Sequence, residues 1–400
     1  MIIREKYLKK IRPFYNQDLI KVITGIRRCG KSILLMQIID EIKDEGINDD
    51  HIIYINFEIF ENLQYTNPES LNNYIKSLIK DKNKYYLFFD EIGRVKDWEL
   101  VINSFKVTLN ASIFITGSNS DLLSGELATH IAGRYASFKV FPFTFKEIID
   151  LKKIENKYEY EEILFDYMKW GGLPQRFEQN DDFSKKTYLM DVYNSIVIKD
   201  ITERFNIKDI DLLNRVVNYI LTTPSQTFSA SNLTKYFESD NRKVSLETIY
   251  NYLEYISKSF LITKAERYDI RGKRILTGKY KYYLTDLGFT RILNEGKKEQ
   301  MGAILENIVF NELLSRGYNV NVGNVDDGEI DFVATKFEEK IYVQVAYVLS
   351  DENVIKREFE AYEKINDNYP KYVISTDKFN MSQNGIIHMN VIDFLLSEKI

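Results

Sequence analysis

The run Gly25-Ile26-Arg27-Arg28-Cys29-Gly30-Lys31-Ser32 carries the residue types that grip a triphosphate. Two glycines permit backbone angles at which successive amides converge on phosphate oxygens. A helix start directly after them adds free N–H groups and the positive end of a dipole. Lys31 is placed to neutralise β- and γ-phosphates, and the Ser32 hydroxyl to ligate Mg²⁺. The candidate nucleotide-binding residues are therefore Gly25, Ile26, Arg27, Arg28, Cys29, Gly30, Lys31, Ser32 and Ile33, with ATP and Mg²⁺ as the implied ligands. Cys29 fills a variable position of the run. A second reading is a thiol whose pKa is depressed by Arg27, Arg28, Lys31 and the helix terminus, so that alkylation blocks nucleotide binding.

Further along, the apolar stretch Tyr85–Phe89 ends in Asp90-Glu91. Asp90 is the second expected metal residue, and Glu91 the group that orients an attacking water. Phosphoryl transfer needs positioning and charge neutralisation more than covalent chemistry. Ser112–Thr116 runs into Gly117-Ser118-Asn119, where Asn119 or Ser118, ahead of Thr116, is expected to sense the γ-phosphate or the water. Arg134 is a candidate arginine finger reaching a phosphate of a neighbouring subunit. The expected catalytic set is Glu91, Lys31, Arg134 and Asn119, and the expected metal pair is Ser32 and Asp90.

Such groups need a scaffold that delivers them to one edge. Residues 19–140 alternate between short β-rich runs, at Leu19–Thr24, His51–Phe57, Tyr85–Phe89, Ser112–Thr116 and Ser137–Val140, and segments of helical spacing. Leu34, Leu35, Ile38, Ile39 and Ile42 mark one apolar helical face, and Val101, Ile102, Phe105 and Leu109 another. Strands alternating with helices predict a parallel α/β sheet covered on both faces.

Together with Trp98-Glu99, Gly133-Arg134-Tyr135 and Pro142-Phe143, these motifs resemble a family of prokaryotic AAA-type, or archaeal-type, P-loop ATPases. Gly171-Gly172-Leu173-Pro174, Lys199-Asp200-Ile201 and Gln344-Val345-Ala346-Tyr347 extend the resemblance over nearly the whole chain. It implies ATP binding and hydrolysis, a winged-helix segment and a C-terminal α/β domain similar to restriction-endonuclease folds. By the family's pattern Lys31, Ser32, Asp90, Glu91 and Arg134 carry over. Gly93 departs from it, standing where a larger polar residue, often Gln, is usual.

The expected organisation is a P-loop ATPase core over 1–145, a helical lid over 146–206, a winged helix over 207–295 and a degenerate endonuclease-like domain over 296–400. Leu246, Ile249, Tyr250, Leu253 and Ile256 fit a helix, the recognition-helix candidate from about Ser245 to Ser257, whose polar face carries Glu247, Asn251 and Glu254, acids that do not suit a DNA groove. Lys264, Arg267, Arg271, Lys273, Arg274, Lys279 and Lys281 form a basic wing that is a candidate for DNA phosphates, above all around Arg271–Arg274. The last segment offers Glu306 on a helix, then Glu329-Ile330-Asp331, then Gln344; Asp331 could fill the first metal position of a restriction-type nuclease, and Gln344 stands at the second. An amide at 344 and Ala346 in place of a lysine argue for a binding or structural module instead.

The chain has 400 residues, a net charge of −5 and 28% charged residues. That length suggests more than one core. An acidic average removes overall charge as an argument for nucleic acid but leaves local patches. One cysteine excludes an intramolecular disulfide and a Cys-rich zinc site. His51, His130 and His388 show no metal-ligand spacing. Charges at Arg4-Glu5-Lys6 and the shortness of every apolar run predict no export signal, no membrane span and a cytoplasmic protein. Three functional classes stay open: an ATPase passing its nucleotide state to the C-terminal half, a nucleotide-dependent binding switch with little turnover, and an ATP-coupled nuclease. A homo-oligomer is expected wherever Arg134 acts in trans.

Overall fold

The structure is a computed structural model that describes residues 2–123, 133–223, 225–226, 228–240, 242–293, 300–326 and 328–398. The helix-like segment expected before Arg134 and the Lys279 side chain lie outside the described residues. The chain divides into two compact units, Met1–Pro142 with Lys258–Phe260, and Phe143–Ser257 with Leu261–Ile400.

The first unit is built on a parallel sheet of β1 (Ile20–Thr24), β2 (Ile52–Asn56), β3 (Tyr85–Asp90), β4 (Ala111–Gly117) and β5 (Tyr135–Lys139), in the order β2-β3-β4-β1-β5. Each strand lies where the β-rich runs placed it. β1 and β3 are buried at every position, which is why their sequences are nearly continuous apolar runs and not alternating ones. Lys21 is the exception inside β1. Its Nζ donates to Ser112 Oγ at 2.6 Å and Gln17 O at 3.2 Å. Burial, with Lys84 and Lys106 nearby, pushes its pKa down to about 7. The helix Lys31–Asp44 buries Leu34, Leu35, Ile38, Ile39 and Ile42, and the helix Trp98–Thr108 buries Val101, Ile102 and Phe105. Each such side chain stabilises the unit by about 1.5–3 kcal/mol relative to exposure, so the strand ends are held by a stiff core.

In the second unit, helices Phe145–Lys152, Tyr160–Trp170 and Asp182–Ser195 occupy the segment that lacked strand signals. Helices Ile210–Thr222, Ala230–Ser239 and Leu246–Lys258 precede a hairpin of β6 (Ile262–Asp269) and β7 (Arg274–Leu284). Ile249, Leu253 and Ile256 of the third helix are buried, whereas Leu246 and Tyr250 are about half exposed. The helix Met301–Ser315 leads into β8 (Asn319–Val325), β9 (Gly328–Lys336), β10 (Glu339–Val345), β11 (Lys371–Ser375) and β12 (Ile387–Asn390).

The boundary expected at 295/296 needs correction. One seven-stranded sheet, β12-β11-β10-β9-β8-β6-β7, crosses it, because β6 pairs in parallel with β8. The free edge of an isolated hairpin is thereby satisfied by the strands that follow it. Among the described residues, no helix is long and apolar enough to cross a membrane.

Candidate functional site

All strands of the first sheet run the same way, so their C-terminal ends share one edge, the usual place for a ligand in an open α/β sheet. The register sets Thr24 opposite Gly117, and Asn56 opposite Asp90. β4 separates β1 from β3. The residues leaving β4 are therefore delivered between the loop after β1 and the acids after β3.

The loop between β1 and the helix at Lys31 is held open by backbone geometry. Gly25 has φ 155° and Gly30 has φ 100°. A Cβ on Gly25 would lie 2.2 Å from the Val140 carbonyl oxygen, so only glycine lets the loop pass this close to the chain after β5. Arg28 also sits at positive φ, 67°. Lys31 is buried, and its Nζ donates to Gly25 O at 3.0 Å and Ile26 O at 3.3 Å. The same Nζ lies 3.4 Å from Glu91 Oε1. Burial opposes its charge, but attraction to Glu91 and Asp90 outweighs that and holds its pKa above the ordinary lysine value.

Asp90 is fully buried at the end of β3. Its carboxylate accepts from Tyr54 OH at 3.0 Å, from Asn56 Nδ2 at 3.2 Å and from Thr116 Oγ1. Glu91 follows at φ 55°, a strained angle for a side chain of this kind that costs about 1–3 kcal/mol. Its backbone N–H donates to Thr116 Oγ1 at 2.9 Å, which holds the strained turn in place. Its carboxylate also accepts from Ser118 Oγ at 3.3 Å. Thr116, ranked behind its neighbours in the sequence, is thus the hinge pin between both acids. Ser118 and Asn119 are buried beside it.

Three residues missed from the sequence complete the edge. Tyr54 and Asn56 orient Asp90 from β2. Glu58 Oε1 bridges Arg27 Nη1 and Arg94 Nη2, each at 3.1 Å. Burial works against the Glu58 charge, but Arg27, Arg94 and Arg28 hold its pKa below the ordinary glutamate value. The only local signal for Tyr54 and Asn56 was a polar tail on an apolar strand.

The structure also bears on Cys29 and Arg134. Cys29 is fully buried, and that burial raises its thiol pKa despite the pull of Lys31 and Arg4. That environment fits the reading of Cys29 as a filler of the loop and not the reading as an activated thiol. Arg134 precedes β5, whose first residue pairs with Ile20 at the end of β1 remote from Thr24. Its Nη1 donates to Asn103 Oδ1 at 3.0 Å. Within one chain it is not brought to Lys31, Asp90 and Glu91.

The stem of the expected basic wing is also different. Lys281 is buried, with Nζ 3.1 Å from Glu306 Oε1 and 2.7 Å from Glu329 Oε1. Arg267 pairs with Glu329 at 2.6 Å. Lys281 and Arg267 therefore neutralise internal acids and are not offered to nucleic acid. Arg271, Lys273 and Arg274 at the tip stay exposed, with Arg271 at 2.8 Å from Asp326.

Around Lys281, Tyr283 OH donates to Glu306 Oε1 at 2.7 Å. Asp331 Oδ2 accepts from the Val345 amide at 2.8 Å, and Gln344 links the Asp331 amide to Glu358. Burial and the charge of Glu306 push Asp331 well above the usual carboxylate range, against the pull of Lys281. Among the described residues, no group of three or more His, Cys, Asp or Glu is arranged to hold a metal ion. Mg²⁺ at the first sheet edge asks for less, since it keeps waters and phosphate oxygens and takes only one or two protein oxygens. The Ser32 hydroxyl and the oriented Asp90 carboxylate are hard donors of that kind.

An AAA domain family matches residues 17–149, and a family described as a domain of unknown function matches residues 161–300. An uncharacterised protein of Haemophilus influenzae is 38% identical over 399 residues, covering 99% of both chains. An uncharacterised protein of Methanocaldococcus jannaschii is 36% identical over 357 residues, covering 86% of this chain and 78% of its own. Among solved structures, the Walker-type ATPase PABY2304 of Pyrococcus abyssi aligns over 73% of this chain and 96% of its own, with 17% identity and a TM-score of 0.49. That likeness is too distant to bear on function.

Proposed function

Since this chain belongs to one family with the Haemophilus influenzae and Methanocaldococcus jannaschii proteins and carries an AAA domain, we propose that it binds Mg-ATP and hydrolyses it to ADP and phosphate. The observation that carries this reading is the buried Lys31 ammonium 3.4 Å from Glu91, beside the oriented carboxylate of Asp90. A cation that binds phosphate and a carboxylate that orients water face each other across the loop mouth. In this reading the amides from Gly25 to Ile33 cradle the phosphates, and Lys31 leaves the Gly25 and Ile26 carbonyls to neutralise them. Glu91 orients the attacking water, while Ser118 and Asn119 report the γ-phosphate. Ser32 and Asp90 would hold Mg²⁺, which would supply charge neutralisation to the phosphates. Arg134 serves a neighbouring copy's site in a homo-oligomer.

The direct test is titration of the folded, full-length chain with Mg-ATP, followed by steady-state phosphate release. Saturable binding with turnover supports the proposal. Absence of binding to any nucleoside triphosphate sinks it. Binding without phosphate release selects the second reading, a nucleotide-dependent switch. That reading is favoured by one feature: the Glu91 carboxylate is already engaged by Lys31 and Ser118.

For the second unit, the three helices and hairpin fit a winged helix, and the helix and strands from Met301 fit an endonuclease-like module. With Lys281 neutralising Glu306 and Glu329, that module fits binding better than cutting. The exposed wing tip is the candidate contact for DNA phosphates. Neutralising Arg271, Lys273 and Arg274 to Ala together is expected to weaken DNA binding and to flatten the log-log salt slope by about 0.9 per lost phosphate contact. An unchanged affinity and slope in a fluorescence titration over salt would dismiss the wing as a DNA contact.

A further inference from the structure

Arg4 lies before the matched AAA residues, yet it reaches the phosphate loop. It is 1% exposed, an unusual place for a guanidinium unless its donors are taken up. Nη1 donates to the Cys29 carbonyl at 3.0 Å, and Nη2 donates to the Phe141 carbonyl at 3.0 Å. The head is clamped in place. Its charge sits 4.6 Å from the Tyr7 ring centre. The Tyr7 hydroxyl accepts from the Phe141 amide at 3.0 Å. The Arg4 amide donates to Gln37 Oε1 at 3.0 Å, and Gln37 returns a bond to the Ile2 carbonyl at 2.7 Å. Gln37 belongs to the helix that starts at Lys31.

The Cys29 carbonyl shares a peptide plane with the Gly30 amide. No peptide bond among the described residues is cis, and in a trans peptide the C=O and N–H point in opposite directions. A donor that holds the Cys29 oxygen on one side therefore holds the Gly30 hydrogen on the other. A positive charge at that oxygen also polarises the peptide and makes the amide a better donor. Resting on the reading of residues 25–32 as a triphosphate site, we propose that Arg4 is a positioning residue for that loop. It fixes the Cys29–Gly30 peptide so that the Gly30 N–H faces the bound phosphate, and it ties the loop to the chain leaving β5. Gly30, with φ 100°, has the backbone freedom to rotate this peptide away when the tie is cut.

The test is calorimetric titration of the full-length chain with Mg-ATP and with inorganic tripolyphosphate, comparing the wild type with Arg4→Gln, Arg4→Lys and Lys31→Ala. Arg4→Gln is expected to raise both dissociation constants by the same factor, about tenfold, because one charge-assisted contact is lost and the base is not involved. Arg4→Lys is expected to recover part of that loss, since an ammonium keeps the charge but not both bonds. Where turnover is measured, KM should rise while kcat at saturating ATP stays within about threefold, as for a contact made equally in ground and transition states. A role confined to folding would lower the folded fraction by circular dichroism and leave the affinity of the folded fraction untouched. Wild-type affinity for both probes in folded Arg4→Gln overturns the proposal. Should Arg4→Gln not fold, Arg4→Lys decides it in the same way: a severalfold higher Kd supports the role, an unchanged one overturns it. A wild type that binds neither probe removes the triphosphate site and this role together. A wild type that binds, a Lys31→Ala that does not, and an Arg4→Gln that binds normally remove Arg4 alone.

Discussion

Lys31→Ala is expected to raise the Kd for Mg-ATP by at least about 10²-fold, measured by titration calorimetry. The ammonium is buried and charged, with its pKa held up by Glu91 and Asp90 against the cost of burial. It is thus a preformed cation in a buried loop, where attraction to phosphate is screened little. Charge-assisted hydrogen bonds contribute about 1.5–3 kcal/mol each, and a lysine shared by two phosphates makes more than one. The substitution also strips the Gly25 and Ile26 carbonyls of their donor and leaves Glu91 without its cation. Some loss of thermal stability should therefore accompany the loss of binding. A folded Lys31→Ala chain that bound Mg-ATP within about threefold of the wild type would remove the loop from the proposed mechanism.

Glu91→Gln separates binding from chemistry. The variant is expected to bind Mg-ATP at least as tightly as the wild type and to release phosphate about 10²–10³-fold more slowly. The amide keeps a side chain of the same size, but it carries no charge to orient and polarise a water. Binding should hold or improve for an electrostatic reason. The carboxylate pairs with Lys31 and so competes with phosphate for it, and it would repel the γ-phosphate. The strained turn at residue 91 should survive, because the bond that holds it runs from the backbone N–H to Thr116 Oγ1. Single-turnover phosphate release alongside calorimetry reads both quantities. Wild-type turnover in this variant would assign the water to another group.

Lys31 and Glu91 could be singled out in the amino-acid sequence because their signals are local. A loop that cradles phosphate is a contiguous run with glycines at set positions, and the strand that carries two acids is an apolar stretch with a polar end. The parallel sheet was legible for a similar reason, since strands covered on both faces become apolar runs divided by amphipathic helices. Boundaries in the second unit were less legible. The 207–295 and 296–400 segments each have plausible local patterns, and nothing local records that β6 pairs with β8.

By itself, the sequence determined the chemistry on offer: Gly25 to Ile33, Lys31, Asp90 and Glu91, on an α/β scaffold of the right period. Only the tertiary structure decided what surrounds that chemistry. Strand order put β4 between β1 and β3, so that Thr116 bonds both acids. It brought Tyr54 and Asn56 onto Asp90, Glu58 between Arg27 and Arg94, and Arg4 onto the Cys29 carbonyl. It also turned Lys281 inward among acids and set Arg134 at the far end of its sheet. The physical reason is range. Backbone angles and apolar period act over a few neighbours, whereas hydrogen bonds and charge pairs join residues that only the folded chain makes adjacent.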